Sequence, residues 1–242
     1  MKKSESSPPD ILSFFDKIYC ISLRERRDRR EQARKEFAKI SLLQRVEFVI
    51  VTKHPENREQ GIFQSHIKCL TMGVEANAFH ILIFEDDVFF EKFDDAALAE
   101  VCSYLDSSIS WNALFLGCIT DGSGRTEKKG LVKIKYRCLA HAYALSNPFA
   151  RQIIGNSWSG IPFDELLRRH NDNFFAFYPM CAFQGLAGSD NQTVVIDRVR
   201  RLFGGLPFIQ KINELYQNNK VFLLLISSAI FLFAALLAYI LW

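Results

Sequence analysis

Three consecutive acidic residues, Glu85, Asp86 and Asp87, follow directly on a short apolar run at residues 80–84. A continuous apolar run of this length favours a strand covered on both faces, as in a parallel sheet. Adjacent carboxylates repel one another unless positive charge lies between them. Hard divalent cations prefer carboxylate oxygens, and open α/β sheets bind ligands at the carboxyl ends of their strands. The pattern therefore predicts a metal site, and a solvated acidic turn is the alternative.

The composition is typical of a globular protein with a substantial core. Of 242 residues, 49% are hydrophobic and 24% are charged, which suffices for one domain with an appendage. The formal net charge of +3 is too small to favour nucleic acid as a partner. Six cysteines are scattered without a CxxC pair, which argues against a zinc site.

The two ends of the chain differ in character. Residues 1–16 are predicted to be a disordered lead, because they begin with a Ser- and Pro-rich stretch and lack the apolar segment of a signal peptide. Residues 221–242 carry no charge. As a helix they would reach about 33 Å, enough to cross a bilayer core of roughly 30 Å. The sequence predicts a single-pass C-terminal membrane anchor, with a buried core helix as the alternative.

The charges around the predicted anchor indicate its orientation. The nearby cations all lie on its amino side: Lys211, Lys220, Arg198, Arg200 and Arg201. By the positive-inside tendency the main domain, residues 17–205, is expected in the cytosol with reduced thiols. Residues 206–220 are predicted to form a short helical linker between that domain and the anchor.

Strands and helices are predicted to alternate along the main domain. The predicted strands cover residues 17–23, 46–52, 80–84, 111–117, 131–136 and 140–145, and the predicted helices cover 24–40, 61–76, 94–105 and 147–154. Residues 121–130 are predicted to be a hairpin turn or surface loop, and residues 185–192 a polar loop. This alternation favours an α/β fold with a mostly parallel sheet. No G-x-G-x-x-G follows the first strand, so a dinucleotide site lacks support.

Several polar side chains outside the acid cluster are candidates for ligand contacts. The first turn of the helix after the first strand carries Arg24, Arg26 and Arg27, which oppose the helix dipole. These cations either attend a phosphate or form a solvated, salt-bridged face. Ser65 and His66 do not form a nucleophile and its base, because adjacent helical residues point in different directions. Separate roles near the acid cluster stay open for both.

Five short stretches occur in an order that is shared with a known enzyme family. They are residues 18–30, Gly61 with Ser65-His66, residues 81–88, residues 141–145 with Ala150, and Tyr178-Pro179 with Gln184 and Ser189-Asp190. Together they resemble glycosyltransferase family 25, which includes lipooligosaccharide and procollagen galactosyltransferases. Ser22 and Ile62 depart from it, since the family usually has Asn and Cys there. A C-terminal anchor is not usual in the family either.

The resemblance implies a GT-A-type α/β domain that binds a UDP-sugar with Mn²⁺ or Mg²⁺. In such a domain Glu85, Asp86 and Asp87 would form the DxD-like element, and Asp87 is the first choice for a metal ligand. Glu85 would face the ribose or the metal. The physical need is clear, because the leaving nucleoside diphosphate develops negative charge that a bound cation stabilises.

The resemblance also implies the remaining parts of a transferase site. Family members are regarded as inverting, which requires a carboxylate base for the acceptor hydroxyl. Asp164 and Asp190 are the candidate bases, with a turn or helix-cap role as the alternative for each. Donor contacts are expected from Arg26, Arg27, Arg29, Ser65, His66 and His141.

The leading hypothesis is a hexosyltransferase at a membrane, which moves galactose or glucose from a UDP-sugar to a glycan, glycolipid or glycoprotein acceptor. An anchor would concentrate such an enzyme near a lipid-linked acceptor. One alternative is a metal-dependent phosphoryl-transfer enzyme or nuclease, which needs further carboxylates; only Asp94 and Asp95 lie close in sequence. Another alternative is a non-catalytic, tail-anchored binding protein on a decayed transferase fold.

Overall fold

The computed structural model describes residues 11–185 and 205–241 of the chain. Its strands are β1 (Lys17–Leu23), β2 (Val46–Val51), β3 (His80–Glu85), β4 (Val88–Phe90), β5 (Ala113–Arg125), β6 (Leu131–Ser146), β7 (Phe174–Phe177) and β8 (Ala182–Gln184). Its helices are α1 (Ile11–Phe14), α2 (Arg27–Lys39), α3 (Arg58–Glu75), α4 (Asp95–Ser108), α5 (Asn147–Ile154), α6 (Phe163–Arg169) and α7 (Gly205–Leu241).

Six of the strands form one sheet in the order β2-β1-β3-β6-β5-β7. β1 is parallel to β2 and β3, and β5 is parallel to β7, whereas β6 is antiparallel to each of its neighbours. Strand β6 alone therefore runs against the other five in this sheet. The predicted α/β fold with a mostly parallel sheet is confirmed. A second, two-stranded sheet pairs β4 with β8 and was not predicted.

The side chains of the sheet alternate between two hydrophobic layers. On β3, Ile81 and Ile83 pack in one layer, while Leu82 and Phe84 pack in the other. The first layer contains buried residues of α3, α5 and α6, and the second contains those of α2 and α4. Because successive strand side chains point to opposite faces, this division places helices on both sides of the sheet.

The helix boundaries differ from the predictions for local reasons. Helix α2 begins at Arg27 instead of Arg24, because the Arg24 amide continues the extended pairing and donates to Val51 O at 2.8 Å. Helix α3 begins at Arg58, three residues before the predicted start. The side chain of Asn57 caps it by accepting a hydrogen bond from Gln60 N at 3.0 Å.

The strands around the predicted turn at residues 121–130 are longer than expected. β5 continues to Arg125, and β6 runs unbroken from residue 131 to residue 146. The two form one long hairpin whose register shifts between Phe115 and Gly122. Leu139 takes a left-handed φ of 74° within β6. Such irregularities bend a strand without ending it, which is why alternation alone split β6 into two predictions.

The first part of α7 packs against the domain through polar side chains. Asn213 accepts a hydrogen bond from Thr120 N at 2.9 Å and donates one to Thr120 O at 2.9 Å, as the backbone of a neighbouring strand would. Nearby, Glu214 accepts from Met180 N at 2.6 Å, and Gln210 donates to Ala182 O at 2.8 Å. Residues 206–220, predicted to be a linker, are thus helical and belong to the packed domain.

The second part of α7 has a different environment. The side chains of residues 221–233 are exposed, for example Val221 at 67% and Phe231 at 74%. By length and composition α7 suffices to cross a membrane. The described part of this apolar segment is therefore not a buried core helix of the domain.

Candidate functional site

A cavity of about 520 Å³ opens at the carboxyl ends of the first three strands. Leu23 of β1, Val51 of β2 and Glu85 of β3 contribute to its wall. Its volume is within the range of small-molecule sites. In open α/β folds, ligands bind at this edge of the sheet.

The acid cluster lies in the wall of this cavity. Glu85 ends β3, and Asp86 and Asp87 form the turn into β4. Arg29 of α2 places its guanidinium against both aspartates, at 3.2 Å from Asp87 Oδ2 and 3.7 Å from Asp86 Oδ1. Gln184 of β8 donates to Asp87 Oδ2 at 3.2 Å and to Glu85 Oε2 at 3.4 Å. The aspartate side chains are only 8% exposed, so the alternative of a solvated turn is wrong.

When all three acids are ionised, the cluster carries more negative charge than Arg29 neutralises, and this opposes their ionisation. Burial, together with the nearby negative charge of Asp164, raises the pKa of Glu85 to about 8. Burial and the charge of Glu85 raise the pKa of Asp87 to about 7, although Arg29 acts in the opposite direction. The pKa of Asp86 is also raised by burial. A further cation would favour the ionised form of all three.

Two oxygens of the cluster are suited to such a cation. Asp86 Oδ2 and Asp87 Oδ1 are buried and have no hydrogen-bond donor in the described part of the chain. In that same part, no three His, Cys, Asp or Glu side chains are arranged as a metal cage. The carboxylates of the predicted triplet therefore do not all point to one metal position. The Glu85 carboxylate instead contacts Gln184 and His66. One or two carboxylates with phosphate oxygens and water are the usual shell of Mg²⁺, and the two aspartates fit it.

His66 supports the cluster from behind. Its ring is buried, with Nε2 at 3.3 Å from Glu85 Oε1 and Nδ1 at 3.0 Å from the Tyr143 hydroxyl. It stacks on Phe163 with the ring centroids 4.3 Å apart. Burial lowers the pKa of His66 to about 4, so the ring is neutral at physiological pH. Ser65 donates to the carbonyl of Gly61 at 2.6 Å and forms no pair with His66, as the helix geometry predicted.

Asp164 lines the same cavity from the start of α6. Its carboxylate accepts hydrogen bonds from the Tyr136 hydroxyl, from Leu139 N at 3.2 Å and from Ala140 N at 3.0 Å. It does not cap α6, whose N-cap is Pro162 without a side-chain hydrogen bond. The other predicted base, Asp190, lies outside the described residues.

The predicted arginines do not all reach the cavity. Its wall includes Arg29 but neither Arg26 nor Arg27. Arg26 instead forms a two-point ion pair with Asp28, at 2.9 Å and 3.0 Å. Arg27 is exposed on the first turn of α2. The phosphate role predicted for these two arginines has no contact to support it.

Two residues of the site, Lys53 and Arg58, are not among the residues that the sequence predicts for it. Tyr143 and Gln184 belong to the stretches of the family resemblance, but the sequence assigns them no role. Lys53 and Arg58 flank the amino end of α3, where a helix dipole and two cations favour an anion. The sequence contains these two cations, but it predicts the start of α3 at residue 61 instead of Arg58, so they do not stand out as lying at a helix start. His141, for which the resemblance implies a donor contact, lines the cavity.

Comparison with known proteins gives fold-level likenesses only. No family model and no curated protein match the chain. A197 from STIV is similar with a TM-score of 0.44 and 12% identity, over 69% of this chain and 83% of that one. Mannose-1-phosphate geranyltransferase from Thermus thermophilus has a TM-score of 0.44 and 10% identity, over 66% and 73%. A glycosyltransferase involved in the glycosylation of the major capsid of PBCV-1 has a TM-score of 0.40 and 9% identity, over 66% and 80%.

Likenesses at these TM-scores carry no argument about activity. Two of the three structures are transferases by name, but the identity to this chain is 10% or less in both. The resemblance to family 25 therefore has no family-level match behind it. We base the function on the geometry of the cavity.

Proposed function

We propose that this protein is a glycosyltransferase of the GT-A type, which moves a hexose, galactose or glucose, from a UDP-sugar to an acceptor hydroxyl with inversion. The acceptor would be a glycan, glycolipid or glycoprotein, and α7 would anchor the enzyme in a membrane with its domain in the cytosol. One observation carries the proposal. Asp86 and Asp87 each present a buried carboxylate oxygen without a donor in the described residues, in a cavity at the carboxyl ends of β1 to β3.

The donor diphosphate would lie between the acid cluster and the amino end of α3. Asp86 Oδ2 and Asp87 Oδ1 would hold Mn²⁺ or Mg²⁺, which supplies positive charge to the leaving diphosphate when bound. Lys53 and Arg58 line the wall on the other side and would contact phosphate oxygens. The proposed role of Arg29 is to hold the two aspartates in place and to reduce the repulsion between them.

The acceptor side of the cavity contains the proposed base, Asp164. An ionised carboxylate has about four acceptor positions, and three hydrogen bonds occupy all but one of them. The remaining position would accept the proton of the acceptor hydroxyl as that oxygen attacks the sugar carbon. Ser65 and His66 stay assigned to the donor side, where His66 orients Glu85.

The decisive experiment measures UDP release from UDP-galactose and UDP-glucose by the purified full-length chain in detergent, with and without Mn²⁺. We expect release that depends on the metal and is lost in Asp87→Asn, a change that keeps the size of the side chain. Asp164→Asn should retain Mn²⁺-dependent binding of UDP, measured by calorimetry, but lose turnover. A matched control is Asp106→Asn, because Asp106 is exposed on α4 away from the cavity.

The outcomes separate the proposal from its rivals. If the protein binds the UDP-sugar but shows no turnover with any of the acceptors tested, a non-catalytic binding protein is favoured. Failure to bind any nucleotide sugar, with normal folding, would refute the proposal. A two-metal phosphoryl-transfer site has less support, because Asp94 caps α4 by accepting from Ala97 N at 2.9 Å and neither Asp94 nor Asp95 lines the cavity.

A further inference from the structure

The hairpin of β5 and β6 concentrates positive charge. Residues 121–137 contain six Lys or Arg and two Asp or Glu, which gives a formal charge of +4, whereas the whole chain carries +3. The remainder of the chain is therefore slightly negative. The positive charge of this protein is a local property of one hairpin and needs a local explanation.

The hairpin runs beside α7 toward the start of the apolar segment. Thr120 of β5 bonds Asn213 of α7, and farther along Ser123 donates to the side chain of Asn218 at 2.8 Å. Strand and helix thus advance in the same direction. Val221 follows Asn218 by three residues, which is about 4.5 Å along the helix axis. Ser123, two residues before the end of β5, therefore contacts α7 less than one helical turn before the apolar segment begins.

Four cations of the hairpin are directed to solvent. Arg125, Lys129, Lys133 and Lys135 are exposed, and none of them forms an ion pair within residues 11–185 and 205–241. We call these four residues the basic hairpin. The other two cations, at positions 128 and 137, are paired with Glu100 and Asp121.

The backbone pairing leaves two of these cations without a facing side chain on β5. Lys133 and Lys135 alternate with buried Val132 and Ile134, so both point away from the core. The residues opposite them on β5 are Gly124 and Gly122. Glycine has no side chain, so β5 offers no group that covers these lysines. On its other side Lys133 is paired with Phe175 of β7, and its Nζ donates to Asn173 Oδ1 at 3.4 Å. Flexible lysines in such a position can reach a charged surface beyond the domain.

We propose that the basic hairpin binds the anionic lipid headgroups of the bilayer that α7 enters. The inference rests on the proposed membrane anchor and is independent of the transferase activity. Lysine and arginine are attracted to an anionic bilayer within about a Debye length, and β5 of the hairpin contacts Asn218, less than one helical turn before Val221. The contact would fix how the domain sits on the membrane, because one helix alone leaves rotation about its axis free.

The test uses the full-length chain in vesicles of phosphatidylcholine, with or without phosphatidylglycerol. A neutral amine-reactive ester labels the lysines, and mass spectrometry gives the labelling rate at each site. We expect Lys129 to react roughly fivefold more slowly in the anionic vesicles at low salt, and this difference to disappear at high salt. Lys35, exposed on α2 at the opposite side of the sheet, is the internal control and should react equally in both vesicles.

A charge variant completes the test. Lys133→Gln with Lys135→Gln should reduce the protection of Lys129, while Arg34→Gln with Lys68→Gln, both exposed on other helices, should not. Equal labelling of Lys129 in neutral and anionic vesicles would overturn the inference. Carbonate extraction, performed on the same vesicles, tells the two failures apart. A chain that stays in the membrane but shows equal labelling refutes only the hairpin contact, whereas a chain that is extracted also refutes the anchor.

Discussion

The two parts of helix α7 are one continuous helix with opposite surroundings. Residues 205–220 contact β5, β8 and the cavity through side chains such as Gln210 and Asn213. Residues 221–233 expose their side chains, most of which are apolar. Both parts are helical, and their side chains decide whether a segment packs on the domain or stays exposed.

The comparison teaches that a polar helix face can be a packing face. Side chains at positions 210, 213, 214, 217 and 218 recur at the three- and four-residue spacing of one helix face. They hydrogen-bond the edge of β5 and the segment around β8, where backbone groups would otherwise be unpaired. Gln210 and His141 share the carbonyl of Ala182, so this face also connects α7 to the cavity wall.

The largest effect should come from removing residues 206–220, the part of α7 that packs on the domain. A chain that ends before Leu206 leaves Thr120 N and Met180 N without acceptors. Each buried unpaired group costs about 1–3 kcal/mol, and a domain has only about 5–15 kcal/mol in total. We expect aggregation or loss of cooperative unfolding by circular dichroism. A chain that ends before Val221 should fold and stay soluble, and equal behaviour of the two truncations would contradict the comparison.

A smaller but still severe effect is expected from Gly117→Ala. A Cβ on Gly117 would lie 1.8 Å from Ala182 O and 2.7 Å from Gln210 Nε2, so the backbone of β8 must move and the Gln210 side chain must turn away. We expect a loss of about 3 kcal/mol in the free energy of unfolding, measured with urea in detergent. Gly124→Ala is the control in the same strand, because its Cβ would meet nothing within 4 Å. Equal losses in the two variants would show that the close packing at Gly117 is not needed.

An intermediate effect is expected from Asn213→Ala. The substitution leaves the buried Thr120 N unpaired, whereas Gln217 continues to donate to Thr120 O at 3.2 Å. One lost acceptor for a buried amide should cost about 1–3 kcal/mol of unfolding free energy. Leu225→Ala in the exposed part is the control and should leave the stability in detergent unchanged. A smaller loss for Asn213→Ala than for Leu225→Ala would reverse the assignment of the two parts.

The smallest effect concerns Glu214 and depends on pH. Burial raises the pKa of Glu214 from an ordinary 4.5 to about 7, because the ionised carboxylate loses hydration, although the hydrogen bond from Met180 N acts in the opposite direction. The folded state binds this proton more tightly than the unfolded state, so stability falls as pH rises from 4.5 to about 7 and then stays level. Glu214→Gln keeps the acceptor for Met180 N and removes the titration.

We therefore expect Glu214→Gln to match the parent protein near pH 4 and to exceed its unfolding free energy by about 1–3 kcal/mol at pH 8. The measurement is urea unfolding at both pH values. A variant that is less stable than the parent at pH 8 would show that the charge of Glu214 helps the docking of α7.

The local elements were largely predictable from the sequence, and their long-range partners were not. β1 was predicted with its observed bounds, because its residues alternate between two covered faces. β6 was predicted as two separate strands. Its irregular middle part continues the strand only through pairing with β5, and residues that are distant in the chain leave no local signal for this pairing. The unpredicted β4–β8 sheet has the same cause, because two three-residue strands become stable only when the fold brings them together.

The sequence by itself determined the acid cluster, the strand that leads to it and the apolar segment near the C-terminus, because each depends on neighbouring residues. Only the tertiary structure decided what faces those acids. It placed Arg29 against Asp86 and Asp87, and Gln184 against Asp87 and Glu85. It left two buried carboxylate oxygens without donors in the described residues. It also packed residues 206–220, a predicted linker, on the domain. Such contacts join residues that are far apart in the chain, and no local pattern of residue types encodes which of them will meet.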